Sequence, residues 1–339
     1  MVHLFIALSK NQLYNCETII KQEKLTKETT VLLSSKAFDV DKTLFGELYL
    51  LDADFSNQSN GILNELSNIT KKIKNYKKLI QAVSKYKNTK DCLLYFSYIE
   101  DVLTNHMLFY FNKNIKGIVV EDGVLNYYNH TIKNLSLKKV FLKKLLSDLL
   151  GVRFKFYKGH SSGIAYNQVI KQYVRKPDLC VFPEKAVKLE VPKHQIKKLS
   201  NSVLIIGQEP LEKVIGTAAY YLQLNQVFDA ALEHALKNNI KTLYYKPHRH
   251  GKRVDKSFFT KFNKEVKLKI IDSNNAIETL FFEKEASKYI FAFNTSAVLN
   301  IKIGMEDTIK NTVNFTVFLS KNDTLYDLYK SLGFNIVIF

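Results

Sequence analysis

The sequence predicts an α/β protein of two domains, each a Rossmann-like parallel sheet with helices on both faces. Three observations predict it. The chain has 339 residues, more than a single hydrophobic core usually organises. Short apolar runs alternate with helical stretches along most of its length. The alternation falls into two separate series, divided by a stretch rich in Pro and Lys.

The first series opens at residues 2–8, an apolar run ending in Ser-Lys-Asn, followed by a helix over 12–22. Residues 30–34 and 47–51 repeat the strand signal. Over 64–87, Leu66, Ile69, Ile73, Tyr76, Ile80 and Val83 recur at the three-and-four spacing of an amphipathic helix. Residues 92–96 form a strand, a helix runs on through Tyr110, and 117–120 form another strand. The second series has strands at 203–206, 242–245, 268–271, 289–293 and 313–318, with a helix over 227–238. Between the series, Pro177, Pro183, Pro192 and several lysines read as a linker or crossover. The expected division is 1–175, a linker 176–201, and 202–339, with the option that the last helix packs back on the first domain.

Composition narrows the function. Lys and Arg number 50 against 32 Asp and Glu, a formal charge of +18. Nucleic acid, an anionic membrane surface and an acidic substrate are the partners such a charge suits. The lysines are dispersed, far outnumber the arginines, and carry no nucleic-acid-binding motif, so nucleic acid is not the expected partner. No run of about 18 apolar residues appears, and the opening residues read as a strand rather than a leader. Cys16, Cys92 and Cys180 are odd in number and widely spaced, which fits a reducing cytoplasm better than a disulfide framework.

Ligands of open α/β sheets sit beyond the carboxyl ends of the strands, so the residues after each apolar run matter most. Glu121-Asp122-Gly123 places two carboxylates and a flexible residue after one strand. A carboxylate there could take a proton from a hydroxyl, or the triplet could be an acidic turn. Lys246-Pro247-His248 follows another strand, and Arg249, His250, Lys252 and Arg253 make that loop strongly basic. Lys and His could meet a phosphate there, or the loop could be merely solvated. Asn294-Thr295-Ser296 stands where a helix starts, a ready anion site or an ordinary cap.

In this chain order the three motifs resemble those of the bacterial GT-B sialyltransferases, namely the lipooligosaccharide sialyltransferases of glycosyltransferase family 52 and the capsular polysialyltransferases. The run Leu4 to Asn15, with Asn11 and Gln12, is similar to the family's first strand and Gln-Leu loop. Gly207-Gln208 resembles its Gly-Gln turn, and Ala276-Ile277-Glu278 its Ile-Glu helix. Two departures are Arg249, where the family usually has Pro, and Asn294-Thr295-Ser296, where Ser-Ser or Ser-Thr is common.

The resemblance implies a GT-B enzyme that transfers sialic acid from CMP-sialic acid with inversion. Asp122, or its neighbour Glu121, would be the general base. His248 would meet the leaving phosphate, with Thr295 and Ser296 beside it, and Lys246 would add charge or structure the loop. Pro247 fixes the turn, and Gly123 follows the base. Gly207 and Gln208 would admit the donor, Glu278 would bind ribose or cytosine, and Asn11 and Gln12 would lie on the acceptor side. No cofactor or bound metal is expected.

Competing features are few. Asp52-Ala-Asp54 matches the DxD pattern of metal-dependent transferases, but a polar turn fits it better. His3, His106, His130 and His160 form no metal pattern. Residues 131–158 combine leucines with lysines, a helix that could rest on anionic lipid or bury its leucines in the first domain. The alternatives are another CMP-linked nonulosonic acid or a nucleotide-diphosphate hexose as donor, and, more distantly, a non-catalytic basic binding protein.

Overall fold

A computed structural model describes residues 1–51, 62–248, 251–260, 262, 266–273 and 275–339. Two compact units divide the chain, Met1–Val191 and Pro192–Phe339. The first contains β1 (Val2–Ile6), α1 (Lys10–Gln22), β2 (Thr30–Ser35), β3 (Glu47–Leu51), α2 (Ile62–Ala82), β4 (Cys92–Phe96), α3 (Val102–His106), β5 (Lys116–Val120), α4 (Leu137–Leu149), β6 (Val169–Val174) and β7 (Ala186–Lys188). Its strands are parallel, in the order β3-β2-β1-β4-β5-β6-β7.

Strand β1 shows why the apolar runs were so legible. Leu4 and Ile6 enter the core on one face of the sheet, and Phe5 enters the core on the other. A strand buried on both faces has no polar side to interrupt its hydrophobicity. After it, Ser9 caps α1 by accepting a hydrogen bond from the Gln12 N–H at 3.2 Å. From β1 the chain winds outward through β2 and β3, then returns to β4 on the other side of β1. The loops after β1 and β4 therefore diverge, which opens a crevice at the carboxyl end of the sheet.

Strands β6 and β7 went unread in the sequence, and the segment 176–201 is less of a linker than its composition suggests. It holds β7 and the start of the next sheet. In β6, Lys171 and Gln172 break the apolar run, yet Gln172 is buried. Its amide nitrogen donates to the carbonyls of Val181 (2.5 Å) and Phe182 (3.1 Å) and so ties the following loop to the strand.

The second unit contains β8 (Leu199–Ile206), α5 (Glu212–Ile215), α6 (Thr217–Lys237), β9 (Thr242–Lys246), α7 (Lys256–Phe259), β10 (Lys267–Ile270), α8 (Ile277–Glu283), β11 (Ala286–Phe293), α9 (Ser296–Gly304), β12 (Asn314–Leu319), α10 (Tyr326–Ser331) and β13 (Asn335–Ile338). Its parallel order, β10-β9-β8-β11-β12-β13, repeats the winding of the first unit, with the reversal between β8 and β11. On α6, Tyr220, Leu224, Val227, Phe228, Ala231 and Ala235 share a core with Val203 and Ile205 of β8. The final element is a strand paired with β12, and the last helix, α10, comes just before it.

Residues 131–158 also differ from expectation. Only 137–149 are α-helical, and of α4's residues only Val140 and Ser147 are buried. Leu137, Phe141, Leu145 and Leu149, four residues apart, are all exposed. The three thiols are free and buried. Burial pushes Cys92 and Cys180 up to about 11, and Cys16 further still. Among the described residues no helix is long and apolar enough to cross a membrane.

Candidate active site

Two groups of the singled-out residues lie at carboxyl ends of strands, one in each unit. In the first, Glu121 and Asp122 follow β5, and the structure separates them sharply. Glu121 is 1% exposed and fully engaged. Its carboxylate pairs with the Arg175 guanidinium at 2.8 Å, accepts the Arg175 backbone N–H at 2.7 Å, and accepts the Tyr127 hydroxyl in a short hydrogen bond. Arg175 also donates to the side-chain oxygen of Asn15, whose amide nitrogen donates to the Glu121 carbonyl. Glu121 thereby locks the end of β5 to α1 and to the end of β6.

Asp122 is half-buried, and Gln12 from the first turns of α1 donates to its Oδ2 at 2.8 Å. The amide oxygen of Gln12 accepts the Leu8 N–H at 2.8 Å, so the orientation of the amide is fixed from the loop after β1. Burial raises the Asp122 carboxyl above its ordinary range, against the lowering effects of hydrogen bonds from Gln12 and Asn11 and of the charge on Arg175. Gly123 turns the chain away at φ +61°, a conformation that a Cβ disfavours. Asn11 and Gln12, expected on the acceptor side, both address the Asp122 carboxylate.

In the second unit the sites follow β8, β9 and β11. Lys246 is buried, and its ammonium donates to the carbonyls of Ser273 (2.5 Å) and Pro247 (3.2 Å). Burial, then the nearby Arg253, lower its pKa. It braces the loop, one of the two roles left open for it. The His248 N–H donates to Oε2 of Glu209 at 2.7 Å, and its carbonyl accepts from Arg253 at 3.3 Å. Pro247 precedes it within that turn. Arg249 and His250 lie outside the described residues, as do Asp52 and Asp54.

Gly207 has a reason beyond donor approach. A Cβ there would stand 2.5 Å from the Tyr245 hydroxyl and 2.9 Å from the Glu209 carboxylate. Gln208 carries a buried amide oxygen with no hydrogen-bond partner among the described residues. Glu209 itself was missed in the sequence, where it is only the residue after a Gly-Gln pair. After β11, Thr295 caps α9 by accepting from the Ala297 N–H, and Ser296 opens the helix. Asn294 is taken by the protein. It donates to Asp323 and accepts from the Tyr329 hydroxyl. Glu278 accepts from Asn300 at 2.9 Å, a tie between α8 and α9. Among the described residues no group of three or more His, Cys, Asp or Glu side chains gathers as metal ligands would.

These strand-end sites lie within the span of a family model for alpha-2,8-polysialyltransferase (POLYST), which matches residues 3–309. The chain belongs to the alpha-2,8-polysialyltransferase family. It is accordingly a glycosyltransferase with the GT-B fold of two Rossmann-like domains and a sialyltransferase-type reaction. Such a reaction has two partners, a sugar donor and an acceptor.

No curated protein matches the sequence. Among solved structures, the fold is similar to the glycotransferase of kitacinnamycin (12% identity, TM-score 0.53), covering 100% of this chain and 85% of that one. It is also similar to the 2,6-sialyltransferase of Photobacterium sp. JT-ISH-224, solved with the donor product CMP and the acceptor substrate lactose. There the identity is 13% and the TM-score 0.51, covering 99% of this chain and 78% of that one. At such identities the likeness speaks to the fold alone.

Proposed function

We propose that the protein is an inverting sialyltransferase that takes sialic acid from CMP-sialic acid and places it on a cell-surface glycan, lipooligosaccharide or capsule. The observation that carries this reading is the state of Asp122. It stands at a strand end with a raised pKa and a hydrogen bond from Gln12, while its neighbour Glu121 is consumed by Arg175. A base must have a lone pair to offer and works best with a pKa near the operating pH. Asp122 has an oxygen to offer, and burial moves its pKa in that direction. In this reading it removes the proton from the acceptor hydroxyl, whose oxygen attacks the anomeric carbon. The bond from that carbon to the CMP phosphate breaks on the opposite face, which inverts the centre. The departing electron pair stays on CMP.

The phosphate end is assigned to the second unit. His248 donates a hydrogen bond or a proton to the leaving phosphate, and Ser296, with the N-terminus of α9 behind it, holds the same group. The Gln208 oxygen, unpaired among the described residues and beside the point where the strand order reverses, is offered to the donor. A monophosphate on a tertiary carbon carries less charge than a diphosphate, so we assign its neutralisation to these groups, without a metal. The CMP and lactose complex of the Photobacterium enzyme adds support for a CMP donor. Activity undiminished by chelator would agree with the metal-free reading.

We place the enzyme at the inner face of the cytoplasmic membrane, in peripheral contact with it. Exposed Leu137, Phe141, Leu145 and Leu149 make one apolar ridge along α4, with Lys138 and Lys139 exposed beside it. Each Lys near an anionic surface contributes on the order of 1 kcal/mol. Phe141→Ser with Leu145→Ser should release the protein from phosphatidylglycerol vesicles in cosedimentation. Unchanged sedimentation would move the contact elsewhere.

The decisive experiment is incubation with CMP-sialic acid and a panel of galactose- and sialic-acid-terminated acceptors, for the wild type and His248→Ala. The wild type should release CMP and elongate at least one acceptor. The variant should bind CMP within a few-fold of wild type but turn over at least about a hundredfold more slowly, since the contact matters most as charge develops. Full activity of folded His248→Ala would remove this reading.

A further inference from the structure

We propose that Glu209 is a positioning residue of the donor side, a buried clasp that sets the His248 turn against the end of β8. The proposal rests on the phosphate-side role given to His248 above. Glu209 is 1% exposed, and both its oxygens are occupied by groups from the β9 strand end. Oε1 accepts the Tyr245 hydroxyl at 2.5 Å, and Oε2 accepts the His248 N–H at 2.7 Å. The opposite end of the same residue is held too, because Arg253 donates to the His248 carbonyl. The backbone of His248 is therefore clamped on both sides by the protein itself.

Two glycines mark how closely the carboxylate is enclosed. Gly207 leaves the space that Oε2 and the Tyr245 hydroxyl occupy. Gly251, at φ +104°, passes so near that a Cβ would stand 2.7 Å from the Cβ of Glu209. The loop before the carboxylate and the loop after His248 both thin to bare backbone where they meet Glu209. The hydrogen bonds to its carboxylate come from Tyr245, the penultimate residue of β9, and from His248, two residues beyond that strand. A carboxylate placed this way fixes the angle at which the His248 side chain leaves the turn, and turnover is sensitive to misplacements of about 1 Å.

The inference is tested with Glu209→Ala, Glu209→Gln and His248→Ala, singly and as the double variant Glu209→Ala/His248→Ala. Glutamine preserves the clasp, since its oxygen accepts the His248 N–H while its nitrogen donates to Tyr245. Glu209→Gln should keep turnover within about fivefold of wild type, and Glu209→Ala should lose about thirtyfold with CMP affinity nearly unchanged. If Glu209 acts through His248, the double variant should be no slower than His248→Ala alone.

Hydrogen exchange provides a reading independent of catalysis. The His248 amide should exchange faster in Glu209→Ala than in wild type or Glu209→Gln, whatever His248 does in the reaction. If His248→Ala is fully active while this exchange pattern holds, the clasp stands and the phosphate-side reading falls. Unchanged exchange, losses that multiply in the double variant, or a glutamine variant as slow as alanine would each overturn the proposal. Should Glu209→Ala fail to fold, Tyr245→Phe removes only the hydroxyl partner and should show a smaller loss of the same protection.

Discussion

Among the described residues, each unit buries one glutamate at the carboxyl end of its sheet, and the two are compensated in opposite ways. Glu121 faces a full positive charge, the Arg175 guanidinium at 2.8 Å, with the Tyr127 hydroxyl and a backbone N–H filling its remaining positions. Glu209 is held by a tyrosine hydroxyl and a backbone N–H, both neutral. Burial raises its pKa, and those hydrogen bonds only partly oppose the rise. The first glutamate is an ion-pair anchor whose removal strands a buried cation. The second is a hydrogen-bond anchor whose charge is tolerated more than used. The side chains proposed as base and phosphate partner adjoin these anchors, Asp122 next to Glu121 in sequence and His248 bound through its N–H by Glu209.

The comparison is broken most directly through the ion pair. Glu121→Gln should destabilise the first unit by about 3–5 kcal/mol, because Arg175 remains buried without its partner. Thermal unfolding reads it, and an unchanged melting temperature would mean that the pair is not what holds β5 to β6. Next in size is Asp122→Asn, which should slow turnover about a hundredfold with the fold and CMP binding intact. Equal kinetic damage from Glu121→Gln in a still-folded protein would exchange the roles of the two neighbours.

Smaller is the effect of Gln12→Ala. The Gln12 hydrogen bond lowers the pKa of Asp122, so its loss should raise that pKa and move the acidic limb of kcat/KM to higher pH. A shift toward lower pH would contradict the arrangement. The smallest effect belongs to Glu209→Gln, within about 1 kcal/mol of wild-type stability. Its sign is set by linkage. A carboxyl whose pKa is raised by folding contributes stability that is present below its unfolded value and is lost as pH rises through the folded value. The glutamine variant should therefore compare best with wild type on the alkaline side.

Much of this was legible before any coordinates. The strands with two buried faces announced themselves as apolar runs, and Glu121-Asp122-Gly123, Lys246-Pro247-His248 and Thr295-Ser296 were placed at strand ends or a helix start. What stayed hidden was decided at a distance. Arg175, 54 positions beyond Glu121, determines which of two adjacent carboxylates is spent, and nothing in the local spacing announces it. Gln12, expected on the acceptor side, also steadies Asp122. Asn294 and Glu278, expected at the donor, also have protein partners, Asp323 and Tyr329 for the one and Asn300 for the other. Strand β7 has three residues, too few for any periodicity to register.

The cysteines turn this asymmetry between units into something a reagent can count. All three, Cys16, Cys92 and Cys180, lie in the first unit, buried and with thiols pushed away from the reactive thiolate form. A maleimide or iodoacetamide pulse at neutral pH should leave the native protein unmarked and stain only molecules whose first unit has opened. The second unit can unfold unseen by that probe. Alkylation therefore dissects Glu121→Gln from Glu209→Gln without engineering a single label: the first should incorporate adduct steadily under mild denaturant, while the second should stay as dark as wild type.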